Sequence, residues 1–191
     1  MLHMHMWNNS IPQVPWLVAV GASLVAAAWD VKTGRIPNWL CASVFVSGAI
    51  ASLARGGLAG AGEAASGCIL LALPYILLFA FAGGGAGDAK LMGAIGIWLG
   101  LDNSVWTLLA VSLSGAVLGT AFAVYRKQLA SVAGNMATIA MSGGLLVLGR
   151  AKLGDARSVL PSEQKMLPMP YGLAIFTGVC LACAGRHLCG F

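Results

Sequence analysis

Two of the six acidic residues in this 191-residue chain can do chemistry together. Asp30 closes one apolar run, and Asp88 follows the stretch Gly83-Gly84-Gly85-Ala86-Gly87 and opens another. A carboxylate at hydrocarbon depth costs roughly 2.5–3.5 kcal/mol at mid-helix on insertion scales, and less near the interface; one kept there is a functional candidate. Two carboxyls brought to hydrogen-bonding distance hold one proton between them. The ionised member can take a proton from water while the protonated member polarises a peptide carbonyl. That is hydrolysis of the aspartyl-protease type, and it needs neither a metal nor a nucleophilic side chain. The pair titrates as a unit, and the sequence does not say which Asp is the base. A plainer reading of the Gly-rich stretch also exists: it breaks two helices, and Asp88 caps the second.

The elements that must position these acids are apolar helices. The chain is 59% hydrophobic and 9% charged, with a mean hydropathy of +0.85. Ordinary soluble domains carry about 25% charged residues, so the composition predicts one all-α, polytopic membrane domain filling residues 1–191. No cofactor fingerprint is visible. The net charge of +5 does not point to nucleic acid, because the basic residues sit in loops between apolar runs.

Spans are predicted at about 14–29, 38–53, 63–82, 88–101, 104–124 and 169–188. Residues 55–62 read as a Gly-rich turn, and Pro74 is expected to kink the third span. The fourth span is short enough to be re-entrant instead. Residues 128–149 read as an amphipathic interfacial segment, and 150–168 as a polar loop. The Ala-Ala-Ala at 26–28 resembles a leader-cleavage site, but no Lys or Arg precedes that apolar run, so it reads as a retained span.

Charge counting sets the expected topology. With all six spans crossing, nine basic residues share one side and only Arg55 and Arg186 lie opposite. If residues 128–149 also crossed, the split would be six against five; with a re-entrant fourth span, it would be four against seven. The positive-inside rule selects the first arrangement. Both termini then lie outside, and Asp30 and Asp88 meet at the cytoplasmic face. Glu63 and Asp102 fall outside, as do His3, His5 and His187, which leaves no histidine to activate a Ser or Cys near the acids. The cysteines Cys41, Cys68, Cys180, Cys183 and Cys189 are odd in number. The lone CxxC at Cys180 lies in an apolar run without a second pair, so it reads as packing; no metal site is expected.

Three elements in order carry a family resemblance: Asp30-x-x-Thr33-x-x-Ile36-Pro37-Asn38, then Gly85-Ala86-Gly87-Asp88-Ala89-Lys90-Leu91, then Pro170-Tyr171-Gly172. The chain resembles the type IV prepilin peptidases, the GxGD membrane aspartyl proteases, over essentially its whole length. The resemblance implies an endopeptidase of the prokaryotic inner membrane, without cofactor. Its substrates would be prepilins or pseudopilins, whose short basic leader is cut after a Gly at the cytoplasmic face. Asp30 and Asp88 would be the catalytic pair, and Gly85 and Gly87 would let the scissile backbone approach. Lys90 would orient or neutralise the site, although a lysine snorkelling to the interface reads the same way. Thr33, Pro37, Asn38, Pro170, Tyr171 and Gly172 would shape helix starts beside it. Only about thirteen residues precede the first span, and the tetracysteine zinc motif of the long, methylating members is missing. The chain is therefore similar to the short forms of tight-adherence (Flp) pilus systems and archaeal preflagellin peptidases.

Two other classes fit less well. A presenilin-like protease would hold its acids deeper in the spans, and a transporter would need a second Gly- or Pro-broken span in the other half. Membrane lipid is an expected partner, and the sequence assigns no oligomeric state. Asp155 and Glu163 in the polar loop could attract a basic leader, although a merely solvated loop explains them as well.

Overall fold

Gln13–Thr33 forms α1, Asn38–Ala82 α2, Ala86–Tyr125 α3 and Tyr171–Cys189 α4. This is the architecture of a computed structural model, which describes residues 13–82, 85–125 and 171–189. Among the described residues every regular element is helical. Residues 128–149, where an amphipathic segment was expected, and Asp155, Glu163, Pro170, His3 and His5 lie outside them. α1, α2 and α3 are long and apolar enough to cross a membrane, and α4 has a shorter apolar stretch, Tyr171–Arg186. Large apolar side chains such as Leu17, Ile50, Ile69 and Leu113 point outward. So much exposed apolar surface is costly in water and suits lipid.

The boundaries differ from those expected. α2 has 45 residues; straight, it would extend about 68 Å, more than twice a hydrocarbon core of about 30 Å. It breaks at one residue, Gly57, with φ 56° and ψ −141°, so the expected turn at 55–62 is helical on either side of that glycine. α3 has 40 residues and breaks at Gly100, with φ 70° and ψ −176°, where a boundary near Asp102 was expected. A positive φ with ψ near 180° is a conformation essentially only glycine holds at low cost.

Both helices fold back at these breaks. Asn38 and Ala72 meet the first turns of α3, at Lys90 and Gly93, whereas Gly48 and Gly67 meet residues 96–100. The second arm of α3 returns alongside α4. There Val111 lies against Gly178, and the Ser114 hydroxyl donates to the Ala174 carbonyl at 2.8 Å. Polar and small residues at a helix seam are the usual adhesive inside a membrane, where apolar side chains gain nothing by leaving lipid.

The first arm of α3 is the central strut. Leu91, Met92, Ala94 and Ile95 are fully buried, along with most of their neighbours, and a helix apolar all round belongs in an interior. α1 contributes small residues, Ala19, Ala22, Ser23, Ala26 and Ala27, which let α4 approach closely. The Trp98 indole N–H donates to the Val44 carbonyl at 2.9 Å, and the Arg55 guanidinium stacks 5.5 Å from the Trp98 ring centroid. Arg55, Glu63, Asp102, Asn103 and Arg186 thus gather at the end remote from Asp88, with Arg186 donating to Asn103.

A Cβ at Gly100 would require a strained φ and would sit 2.9 Å from the Glu63 carboxylate oxygen, whereas one at Gly21 would meet nothing within 4 Å. Gly100→Ala is therefore expected to lower stability by about 2 kcal/mol. Gly21→Ala should be neutral or stabilising, by up to about 1 kcal/mol. Thermal unfolding of the detergent-purified protein checks both; equal melting of Gly100→Ala and wild type would remove strain as the reason for that glycine.

Candidate active site

Asp30 lies within the last turn of α1, not at its end, because the helix runs on to Thr33. The turn closes on Gly34, whose φ of 65° marks a left-handed cap and whose N–H donates to the Asp30 carbonyl at 2.7 Å. The Thr33 hydroxyl donates to the Trp29 carbonyl at 2.9 Å and the Arg35 carbonyl at 3.1 Å. Thr33 therefore stiffens the exit from α1 and makes no hydrogen bond to either acid. The link ends at Pro37, whose carbonyl accepts the Leu40 N–H at 3.2 Å as α2 begins. Trp29 and Trp39 flank it in an edge-to-face contact, centroids 6.1 Å apart. Both rings are exposed, as suits aromatic anchors at a membrane surface.

The Asp30 side chain reaches across to α4. Its Oδ2 accepts the Gly172 N–H at 2.9 Å. That amide is one of the first-turn donors a helix leaves without an internal partner, at its positive end, so Asp30 caps another helix from afar. Gly172 is buried, and a Cβ there would lie 3.0 Å from the Asp30 Cβ and 3.1 Å from Ala27 Cα. Tyr171, beside it, is 45% exposed.

Asp88 stands in the first turn of α3, and its N–H donates to the Gly85 carbonyl at 3.1 Å. Gly85 and Gly87 have different neighbours. A Cβ on Gly85 would sit 2.7 Å from Asp88 Oδ2, and one on Gly87 would sit 3.1 Å from the Ile36 Cβ. Gly85 thus leaves room for the carboxylate, and Gly87 lets the α1–α2 link lie against α3. Lys90 is exposed and donates to Asn38 Oδ1 at 3.0 Å. This hydrogen bond ties the start of α2 to α3.

The fold brings Asp30 and Asp88 within electrostatic reach of each other, both partly buried. Tyr75, Tyr171 and Cys41 are also within reach of Asp88. Tyr75 and Cys41 are interior positions of apolar runs, and no local pattern in the sequence marks them. Their only signal is a polar atom on a helix that the fold lays beside Asp88. Two carboxyls within electrostatic reach of each other do not ionise independently.

Neither curated proteins nor solved structures match this chain. The model of the type IV leader peptidase family matches residues 17–120, more than half of the chain and including both acids. The Asp30 and Gly85 motifs of the prepilin-peptidase resemblance fall inside that match, Pro170-Tyr171-Gly172 lies beyond it, and the chain belongs to the type IV leader peptidase family.

Proposed function

We propose that this membrane protein removes the basic leader from prepilins or pseudopilins at the cytoplasmic face of a prokaryotic inner membrane, with Asp30 and Asp88 as an aspartyl pair. One observation carries the reading: two acids from separate helices come within reach at one end of an apolar bundle, one of them held by the Gly172 N–H. The folded-back arms of α2 and α3, counted with α1 and α4, are consistent with six crossings and both termini on one side, which the distribution of basic residues makes the outside.

In this mechanism the ionised Asp accepts a proton from water as the water oxygen attacks the scissile carbonyl carbon. The protonated Asp donates its proton to the carbonyl oxygen, giving a neutral tetrahedral diol. Return of a proton to the leaving nitrogen breaks the C–N bond and releases leader and mature pilin. The second acid meanwhile recovers its proton from the diol hydroxyl. Charge stays within the pair, which limits what the low-dielectric surroundings must stabilise.

The test is cleavage of a basic-leader prepilin by membranes containing the wild-type chain, with the cut mapped by mass spectrometry. A cut after the Gly that ends the leader, unaffected by EDTA, is expected. A cut inside the apolar segment would replace this reading with a presenilin-like one. No cut in any of several prepilins would overturn it.

A further inference from the structure

The two acids are held differently. Asp30 receives the Gly172 N–H, whereas among the described residues no hydrogen bond reaches the Asp88 carboxylate. Asp88 is half-buried, and its Oδ2 lies back toward Gly85. An acid that must present one oxygen to a water and the other to its partner needs a donor to set its rotation, and a hydroxyl donor to a carboxylate is among the stronger ones.

The packing of α2 on α3 supplies a candidate. The two segments run antiparallel, with Gly67 against Gly96 and both Cys68 and Ala72 against Gly93. One further helical turn brings residue 75 to the level of Ala89, beside Asp88. The residue there is Tyr75, half-buried, packed against the central apolar cluster and within electrostatic reach of Asp88. The other groups around Asp88 fill the role less well. Cys41 is a weak donor, Lys90 is engaged by Asn38, and Tyr171 is 45% exposed on the α4 side.

We propose that Tyr75 is a positioning residue for Asp88: held on α2 opposite the first turn of α3 but not hydrogen-bonded to the carboxylate in this structure, its phenol O–H becomes the donor that orients Asp88 when the pair closes on the shared water. The inference rests on the aspartyl-pair reading above. Tyr75 does not touch the scissile bond, so its loss should act on turnover and leave substrate binding alone.

The experiment measures kcat and KM for prepilin cleavage in detergent micelles by wild type, Tyr75→Phe, Tyr75→Leu, Tyr125→Phe and Asp88→Asn. Tyr75→Phe keeps the ring and its packing and removes only the hydroxyl. It is expected to lower kcat about tenfold with KM within twofold and melting temperature unchanged. Tyr125→Phe, at the exposed end of α3, should match wild type. Tyr75→Phe with wild-type kcat would overturn the proposal, and a loss confined to Tyr75→Leu would assign Tyr75 to packing alone. An inactive Asp88→Asn beside a fully active Tyr75→Phe would sink only the tyrosine. An active Asp88→Asn would sink the aspartyl pair and the tyrosine together.

Discussion

On the aspartyl-pair reading, Asp88→Asn and Asp30→Asn are each expected to reduce kcat/KM for leader cleavage by at least about 10³-fold while membrane levels stay normal. Asparagine keeps the shape and removes the titrating group, so neither variant keeps both the ionised and the protonated carboxyl that the proposed reaction needs. In Asp30→Asn the side-chain amide oxygen can still accept the Gly172 N–H, so α4 stays docked and the loss reports chemistry, not folding. Asp30→Ala lacks that acceptor and should lose stability as well, by about 1 kcal/mol, as for a missing helix cap. The double Asn variant should be scarcely worse than either single one, because residues acting as a unit are not additive. Gel-shift assays at matched protein levels check this. Retained cleavage in either single variant would mean that the pair is not the catalytic unit.

The second large effect is structural. A Cβ on Gly67 would lie 2.5 Å from the Gly96 carbonyl oxygen and 2.7 Å from the Gly100 carbonyl carbon and oxygen. Those atoms are all backbone, and none can rotate aside. Gly67→Ala or Gly96→Ala is expected to cost about 3 kcal/mol, the upper range for overpacking, and a bulkier residue should leave little folded protein. Gly48→Ala should cost less, since the nearest atoms to its Cβ would be in the side chains of Ile97 and Trp98, not in backbone. Melting of the detergent-purified variants gives the order. If Gly48→Ala were the worst of the three, the Gly67–Gly96 crossing would not be the point on which the bundle depends. The first arm of α3 carries Asp88, so any surviving Gly67 variant should also cleave poorly.

Much was legible in the residues themselves. Hydropathy alone predicts apolar helices, because burying backbone in lipid demands internal hydrogen bonds. Asp30 and Asp88 stand out by the cost of a carboxylate at the edge of an apolar run, and Gly85, Gly87 and Gly172 by their place in motifs. The break points were less legible. Gly57 is one of several glycines between Arg55 and Gly62, and each could have turned the chain. Gly100 precedes Asp102-Asn103, which look like a better helix boundary. Which glycine takes the positive φ follows from what packs on either side, here Glu63 against Gly100. Lys90 shows the same limit: its motif suggests the acids, and its Nζ goes to Asn38.

The sequence by itself determined the apolar surroundings, the helical class and the family, and singled out the two acids as candidates, since each depends on residue type and local spacing. Only the tertiary structure decided that Asp30 caps α4 through Gly172, that Tyr75 comes within reach of Asp88, and that Gly67 and Gly96 bring α2 and α3 into backbone contact. Those are pairings between segments far apart in the chain, and steric fit across an interface leaves no periodic trace in either partner alone.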